Sequence, residues 1–410
     1  MIKPATIPSV TSILKTEFGR LPFPNEILLK IFEYLDIQDI SRSAKVSHQF
    51  NKISNDPSLW KSMGKLCIDR RKVPTEFLTY IIQKGITELC LFQCAISPPK
   101  VPGVKLTRPL NLKTLIVDKT NPGETLMSEI LTSHSIEKVA LRDCNLSFTV
   151  LISSVRLIGR KLKSLNLGNT LRTGRRYDLS IISIIVKYCS GLEELNMSHN
   201  SLPRESVDYL CENLTPRILK LDVKNIQYSY YLENIRMGLH EPWKVGLNDK
   251  NIRALVKRCP NLRVLDIREN ENITYQGLVA ISDGLLFLEC LALPQSVGNE
   301  LGLPQCSFID NALKVLPYTI DLSKLHALKS MKRLKKLLIG YDSDLNEYQN
   351  ILQSEIPHLE YQNILQSEKH EGSNSFEVAV TNTNDFRGVE FCPNCLQYKQ
   401  PTYKHECVKK

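Results

Sequence analysis

A pattern of apolar residues returning about every 26 positions constrains this chain more than any other feature. From Ile86 onward it reads L-x-x-L-x-L-x-x followed by Asn, Cys or Thr. Clear instances are Ile86-x-x-Leu89-x-Leu91-x-x-Cys94 and Ile136-x-x-Val139-x-Leu141-x-x-Cys144. Others are Leu162-x-x-Leu165-x-Leu167-x-x-Thr170, Leu192-x-x-Leu195-x-Met197-x-x-Asn200 and Leu262-x-x-Leu265-x-Ile267-x-x-Asn270. Weaker copies begin at Leu112, Ile218, Leu288 and Leu334. Starts at 86, 112, 136, 162, 192 and 218 give steps of 26, 24, 26, 30 and 26. A unit this short cannot bury an apolar face alone, so copies must stack side by side.

The period-2 part of each unit predicts a short strand whose Leu residues point into a shared core. The Asn, Cys or Thr that follows is placed to bond backbone as the chain turns away. Stretches such as Ile181–Tyr188 and Asn251–Lys257 predict helices that cover the core. This is the physics of the leucine-rich repeat. About nine strands spaced ~4.8 Å apart would line a concave face on the order of 40 Å long. Its central positions are expected to expose Cys90, Ile116, Ala140, Asn166, Asn196, Asp222, Asp266, Ala292 and Leu338, with a polar Asn/Asp ladder in the middle. The next outward column supplies Phe92, Asp118, Arg142, Ser198, Lys224 and Arg268. Candidate substrate-binding residues are therefore Phe92, Arg142, Asn166, Asn196, Asp222, Asp266 and Arg268. The mixture suits protein recognition better than a uniformly basic nucleic-acid groove. Two irregularities stand out. The stretch Gln227–Leu247, with Tyr228, Tyr230, Tyr231 and Trp243, is either a binding loop or a cover over exposed core. The gap from Leu288 to Leu334 is expected to hide a degenerate repeat.

Ahead of the repeats, Arg20 to Leu66 reads as a compact helical module. Pro24 suits a first helical turn, and Ile27, Leu28, Ile31, Phe32 and Leu35 follow helical spacing. Seven of the nine residues from Ile27 to Leu35 are apolar. A helix apolar around most of its circumference must bury two faces. A module of about 45 residues covers one of them, which leaves the other to bind a partner or to pack on the following domain. Asp36 and Asp39 frame a turn into a second helical stretch, and Asp56-Pro57 is expected to break the chain before Leu59-Trp60.

The run Phe23-Pro24-Asn25-Glu26-Ile27-Leu28-Leu29-Lys30-Ile31-Phe32-Glu33-Tyr34-Leu35-Asp36, then Val46-Ser47-His48-Gln49-Phe50 and Leu59-Trp60, closely resembles the F-box. Phe23 stands where that family usually has Leu, and Phe50 where it usually has Trp. The resemblance implies that Pro24, Glu26, Ile27, Leu28, Ile31, Phe32, Leu35 and Val46 face a Skp-type adaptor that bridges to a cullin and a RING protein. Cys189-x-x-Leu192 and Cys259-x-x-Leu262 resemble the cysteine-containing repeat class often joined to an F-box. These features imply an α/β protein: a three-helix F-box at 20–66 and a leucine-rich-repeat horseshoe at 78–345. A duplicated segment and linker at 346–388 and a zinc knuckle at 389–410 complete it.

The functional expectation is a non-catalytic substrate-recognition subunit of a cullin–RING ubiquitin ligase, with an unidentified protein as substrate. The alternatives are a repeat scaffold and a nucleic-acid or chromatin binder that uses the net charge of +10. The bases are scattered, which reads as a solvated face. No P-loop, dinucleotide fingerprint, nucleophile elbow or metalloprotease helix is present, and His48 and His199 read as structural or solvated. Met1–Arg20 lacks the apolar core of a secretory signal, and no stretch approaches the roughly 18–20 apolar residues of a membrane span. The 12 cysteines sit mostly in apolar segments and predict a reducing compartment, cytoplasmic or nuclear.

The tail repeats Glu-Tyr-Gln-Asn-Ile-Leu-Gln-Ser-Glu at Glu347–Glu355 and Glu360–Glu368, and Lys369–Asp385 reads as a flexible linker. Cys392-Pro-Asn-Cys395 precedes His405-Glu-Cys407. A turn brings two thiolates to one ion, and in extended chain His405 and Cys407 project to one side. Cys392, Cys395, His405 and Cys407 form a closed Cys3His set suited to structural zinc; a free redox-active CxxC or no special role are the alternatives. The purified chain is expected to carry one equivalent of zinc by elemental analysis and to lose it in Cys395→Ser. Absence of stoichiometric metal from both would sink the zinc reading.

Overall fold

The computed structural model describes residues 23–35, 37–99, 106, 110–171, 179–228, 246–302, 306–309, 312–315, 320–339, 354–358, 390–391 and 398–399. Four short helices open it: α1 (Asn25–Phe32), α2 (Ile37–Ser43), α3 (His48–Ser54) and α4 (Pro57–Met63). The sequence suggested three, with a break at Asp56-Pro57. Those residues instead start α4: the Asp56 carboxylate accepts from the Ser58 N–H at 2.9 Å, and Pro57 takes the first turn, where no amide proton is missed. Ser47 caps α3 in the same way, accepting from the Phe50 N–H at 3.1 Å.

The main sheet has ten parallel strands in chain order. They are β1 (Lys65–Asp69), β2 (Glu88–Phe92), β3 (Thr114–Asp118), β4 (Lys138–Arg142), β5 (Ser164–Asn166), β6 (Glu194–Asn196), β7 (Lys220–Asp222), β8 (Val264–Asp266), β9 (Cys290–Leu293) and β10 (Lys336–Ile339). Outside them run α5 (Thr75–Gln83), α6 (Glu124–Leu131), α7 (Phe148–Ile158), α8 (Leu179–Tyr188), α9 (Arg204–Asn213), α10 (Asp249–Arg258) and α11 (Tyr275–Gly284). Register places Leu66, Leu89, Leu115, Val139, Leu165, Leu195, Leu221, Leu265, Leu291 and Leu337 in one column, and all are buried. Each such side chain contributes roughly 1.5–3 kcal/mol of hydrophobic stabilisation.

Two ladders lock each repeat to the next. Arg70, Gln93, Lys119, Asp143, Asn169, His199, Asn225 and Glu269 stand at one position of successive repeats, all with φ between 48° and 59°. A left-handed non-glycine residue costs about 1 kcal/mol or more. The return is a bond across the stack: the Gln93 N–H reaches Asp118 O at 2.9 Å, Asn169 reaches Ser198 O at 2.8 Å and His199 reaches Lys224 O at 2.9 Å. One residue further on, the motif's closing side chain reaches back to the preceding repeat. Cys94 Sγ donates to Ile68 O at 3.3 Å and Cys144 Sγ to Val117 O at 3.2 Å. Thr170 Oγ1 donates to Leu141 O. Asn200 Nδ2 donates to Leu167 O at 2.9 Å, and Asn270 Nδ2 to Val223 O at 2.9 Å.

Several boundaries differ from the sequence reading. The solenoid begins at Lys65, inside the stretch assigned to the F-box and well before residue 78, because β1 pairs along its whole length with β2. Its sequence, Lys65-Leu66-Cys67-Ile68-Asp69, carries too few leucines to announce a repeat. The long intervals add no strand to this sheet: β7 pairs directly with β8, and β9 directly with β10. The expected degenerate repeat after Leu288 is instead a short helix at Gln295–Glu300, an antiparallel pair Cys306–Ile309 with Ala312–Val315, and a helix at His326–Ser330. Part of the 346–388 stretch, read from the sequence as a duplicated segment and linker, docks on the last repeat. Ile356 is fully buried, Glu355 pairs with Lys329, and His358 Nε2 lies 3.1 Å from Met331 O. Ile356-Pro357 repeats the buried apolar-Pro step of Cys259-Pro260.

Candidate interaction surfaces

The first surface is α1. Leu28 and Phe32, expected on a docking face, are each 2 % exposed and form the module's own core. Phe32 meets the edge of Phe50 at 5.2 Å, so the substituted aromatic still packs. Leu35 is half-buried against the same core. The outward positions are Pro24, Glu26, Ile27 and Ile31, with Val46 at the α2–α3 turn 72 % exposed. Ile27 and Ile31 stand one helical turn apart and form a stripe. Phe23 is exposed beside them and Tyr34 is 90 % exposed, two residues the sequence reading did not select. Their signal was present in the apolar circumference of α1: with Leu28 and Phe32 inward, residues at 27, 31 and 34 must point out.

The second surface is the concave face of the sheet, and here the expectation needs correction. Asp222 and Asp266 are 3 % and 0 % exposed, and Cys90 and Ala292 are buried as well. The Asn/Asp ladder turns the chain at the end of each strand. Asn166 Oδ1 accepts from the Gly168 N–H at 2.9 Å and Asn196 Oδ1 from the Ser198 N–H at 2.9 Å. Asp222 Oδ1 accepts from the Lys224 N–H at 3.0 Å, and Asp266 Oδ1 from the Arg268 N–H at 3.0 Å. These are Asx turns, which hold the backbone just before the left-handed residue. Arg268 folds back onto Asp266, with Nη2 2.8 Å from Oδ2, and Asn196 Nδ2 donates to Asp222 Oδ2 at 2.6 Å. Arg268 and Asp266 are thus committed to each other, and Asp222 to Asn196 and the Lys224 amide, while Asn196 stays half-exposed. A sequence pattern cannot distinguish an exposed polar strand residue from one turned to its own backbone.

Other charges on this face are paired too. Arg142 lies 3.7 Å from Asp118, Lys220 lies 2.6 Å from Glu194, and Lys224 lies 2.9 Å from Glu269. The open part of the face lies nearer its amino-terminal side, where Phe92, Ile116, Ala140, Arg142 and Asn166 are half-exposed. Cys67 and Cys90 sit in register at that end. Among the described residues no three His, Cys, Asp or Glu side chains are grouped to hold a metal ion. Cys392, Cys395, His405 and Cys407 lie outside the described residues, as do Tyr230, Tyr231 and Trp243. No described helix is long and apolar enough to cross a membrane.

Comparison with known proteins places an F-box-like family model on residues 23–65 and a leucine-rich-repeat model on residues 258–282. Among solved structures, the leucine-rich repeat-containing protein LegL7 of Legionella pneumophila is 14% identical, with 72% of this chain and 88% of that chain covered and a TM-score of 0.39. An internalin of Listeria monocytogenes is 14% identical, with 73% and 93% covered and a TM-score of 0.31.

Burial first, and then the Asp266 carboxylate, push the Asp222 carboxyl up to about 8, against the pull of the Lys224 amide and of Arg268. Between the ordinary value of 3.8 and about 8, the folded chain keeps a proton that the unfolded chain has lost. Asp222 therefore contributes its full stability below about pH 4, and that contribution fades as the pH rises toward 8. Asp222→Asn removes the titration and adds a constant offset from the changed contact with Asn196. The stability of the variant relative to wild type, read from urea midpoints, is expected to rise between pH 5 and pH 8. Parallel pH curves for the two proteins would contradict this assignment.

Proposed function

We propose that this chain, an F-box-like domain joined to leucine-rich repeats, is a substrate receptor of a cullin–RING ubiquitin ligase. The outward stripe of α1 would dock to a Skp-type adaptor, and the half-exposed part of the concave face would hold a protein substrate. The observation that carries this reading is the exposure of Phe23, Ile27, Ile31, Tyr34 and Val46 together on a module whose core is already filled. Four large apolar side chains held in water on or beside one short helix, with Val46 exposed at the α2–α3 turn, are what a protein-binding surface is expected to present. The charge distribution favours a protein over nucleic acid on the concave face. Arg142, Lys220, Lys224 and Arg268 each lie beside a carboxylate of this same chain, so phosphates would have to displace those partners. In this reading the chain supplies binding and placement, and ubiquitin transfer belongs to the RING and conjugating partners.

Co-purification of the full chain with a Skp-type adaptor tests the proposal, beside Ile27→Glu/Ile31→Glu. Both side chains are exposed, so the variant is expected to melt with the wild type. Buried charges opposite an apolar partner surface are expected to weaken the complex by at least 100-fold. A wild-type chain that folds but binds no adaptor would overturn the reading.

A further inference from the structure

A hollow of about 450 Å³ opens at the corners where three successive helices turn into the sheet. Its walls are the 3-10 turn Gly159–Lys161 that follows α7 and the carboxyl-terminal ends of α8, α9 and α10. Three arginines line it, Arg160, Arg217 and Arg258, and no carboxylate does. No aromatic ring lines it either, so a base or other flat apolar group would find nothing to stack on. The volume is within the roughly 300–1,000 Å³ typical of small-molecule sites.

Several other arginines of the solenoid are already paired within the chain. Arg142, Arg204, Arg263 and Arg268 each lie within ion-pair distance of an Asp or Glu. Among the described residues, the side chains of Arg160 and Arg217 make no ion pair or hydrogen bond. Arg258 is tethered through Nε to Leu214 O at 2.7 Å, which fixes the plane of its fork beside the hollow. Gly191 lets the corner after α8 approach the Arg160 backbone closely, since a Cβ there would come within 3.3 Å of the Arg160 carbonyl oxygen. Helix carboxyl ends carry partial negative charge, about half a unit each. Three such ends supply roughly −1.5, against about +3 from the guanidiniums, so the hollow remains positive.

We propose that this hollow is a binding site for a small phosphate-bearing anion, held by Arg160, Arg217 and Arg258. The planar fork of arginine matches oxyanions bidentately, and three forks around one cavity suit a di- or triphosphate group better than a single carboxylate. The site lies at the helix-to-strand corners, away from the α1 stripe and the concave strand positions, and does not depend on the adaptor reading.

The test is calorimetric titration of the full chain with inorganic tripolyphosphate at matched ionic strength. Wild type is expected to bind one equivalent. Arg160→Gln/Arg217→Gln is expected to bind at least tenfold more weakly, and Arg217→Lys, which keeps the charge and loses the fork, to fall between them. Arg253→Gln, an exposed arginine of α10 outside the hollow, is expected to bind as wild type does. All variants are expected to share the melting temperature of the anion-free wild type. No saturable binding by wild type, or equal weakening in Arg253→Gln, would overturn the proposal. Tighter binding of a phosphoserine peptide than of tripolyphosphate, lost in the double variant, would overturn it in favour of a phosphoprotein partner.

Discussion

The architecture depends on polar groups that a single repeat cannot satisfy by itself. The side chain closing each motif, Cys94, Cys144, Thr170, Asn200 or Asn270, donates to a carbonyl of the repeat before it. At Gln93, Asp143, Asn169 and His199, the left-handed residue just ahead of it donates its N–H to the repeat after it. An isolated copy would leave these groups in the core without partners, at about 1–3 kcal/mol each. Stacking is thus required by hydrogen bonding as well as by the leucine column. Asn200 shows the arrangement most fully: it donates to Leu167 O and Met197 O and accepts from the Leu171 N–H at 2.8 Å.

The same turn explains what was legible in the sequence and what was not. The leucine spacing carried the fold, because core positions tolerate few residue types and recur in register. The closing Asn, Cys and Thr were legible for the same reason. Asp222 and Asp266 were misread because their letters suit solvent, while their carboxylates are used by the amides of Lys224 and Arg268. In α1 the sequence located the helix proposed to dock but not its inner and outer sides, so Leu28 and Phe32 were placed outward. Only packing against Phe50 and the rest of the module decides which turn of an apolar helix faces in. The first strand was missed because one inward leucine, Leu66, does not make a pattern.

That strand joins the two parts of the chain. Gly64, at φ 60°, turns the chain from α4 into β1, and its carbonyl accepts from the N–H groups of Thr87 and Glu88 at 2.8 and 2.9 Å. Trp60 is buried at the seam; its Nε1 donates to Ser54 O at 2.7 Å, and its ring meets Tyr80 of α5 edge-on at 6.3 Å. The amino-terminal helices and the repeats thereby share one continuous hydrophobic core. A docking helix fixed rigidly to the solenoid would hold anything bound on the concave face at a set distance from an adaptor. A flexible tether would not.

The helical module and the repeats form one body held together by the ladder. The direct measurement is urea unfolding of a Trp243→Phe chain, followed by Trp60 fluorescence and by far-ultraviolet circular dichroism, with and without Asn200→Ala. Both signals are expected to change together, and Asn200→Ala is expected to lower both by the same amount, about 2–4 kcal/mol, although residue 200 lies five strands away from β1. A Trp60 transition left unmoved while the dichroism shifts would contradict it, and the module and the horseshoe would then be separate units.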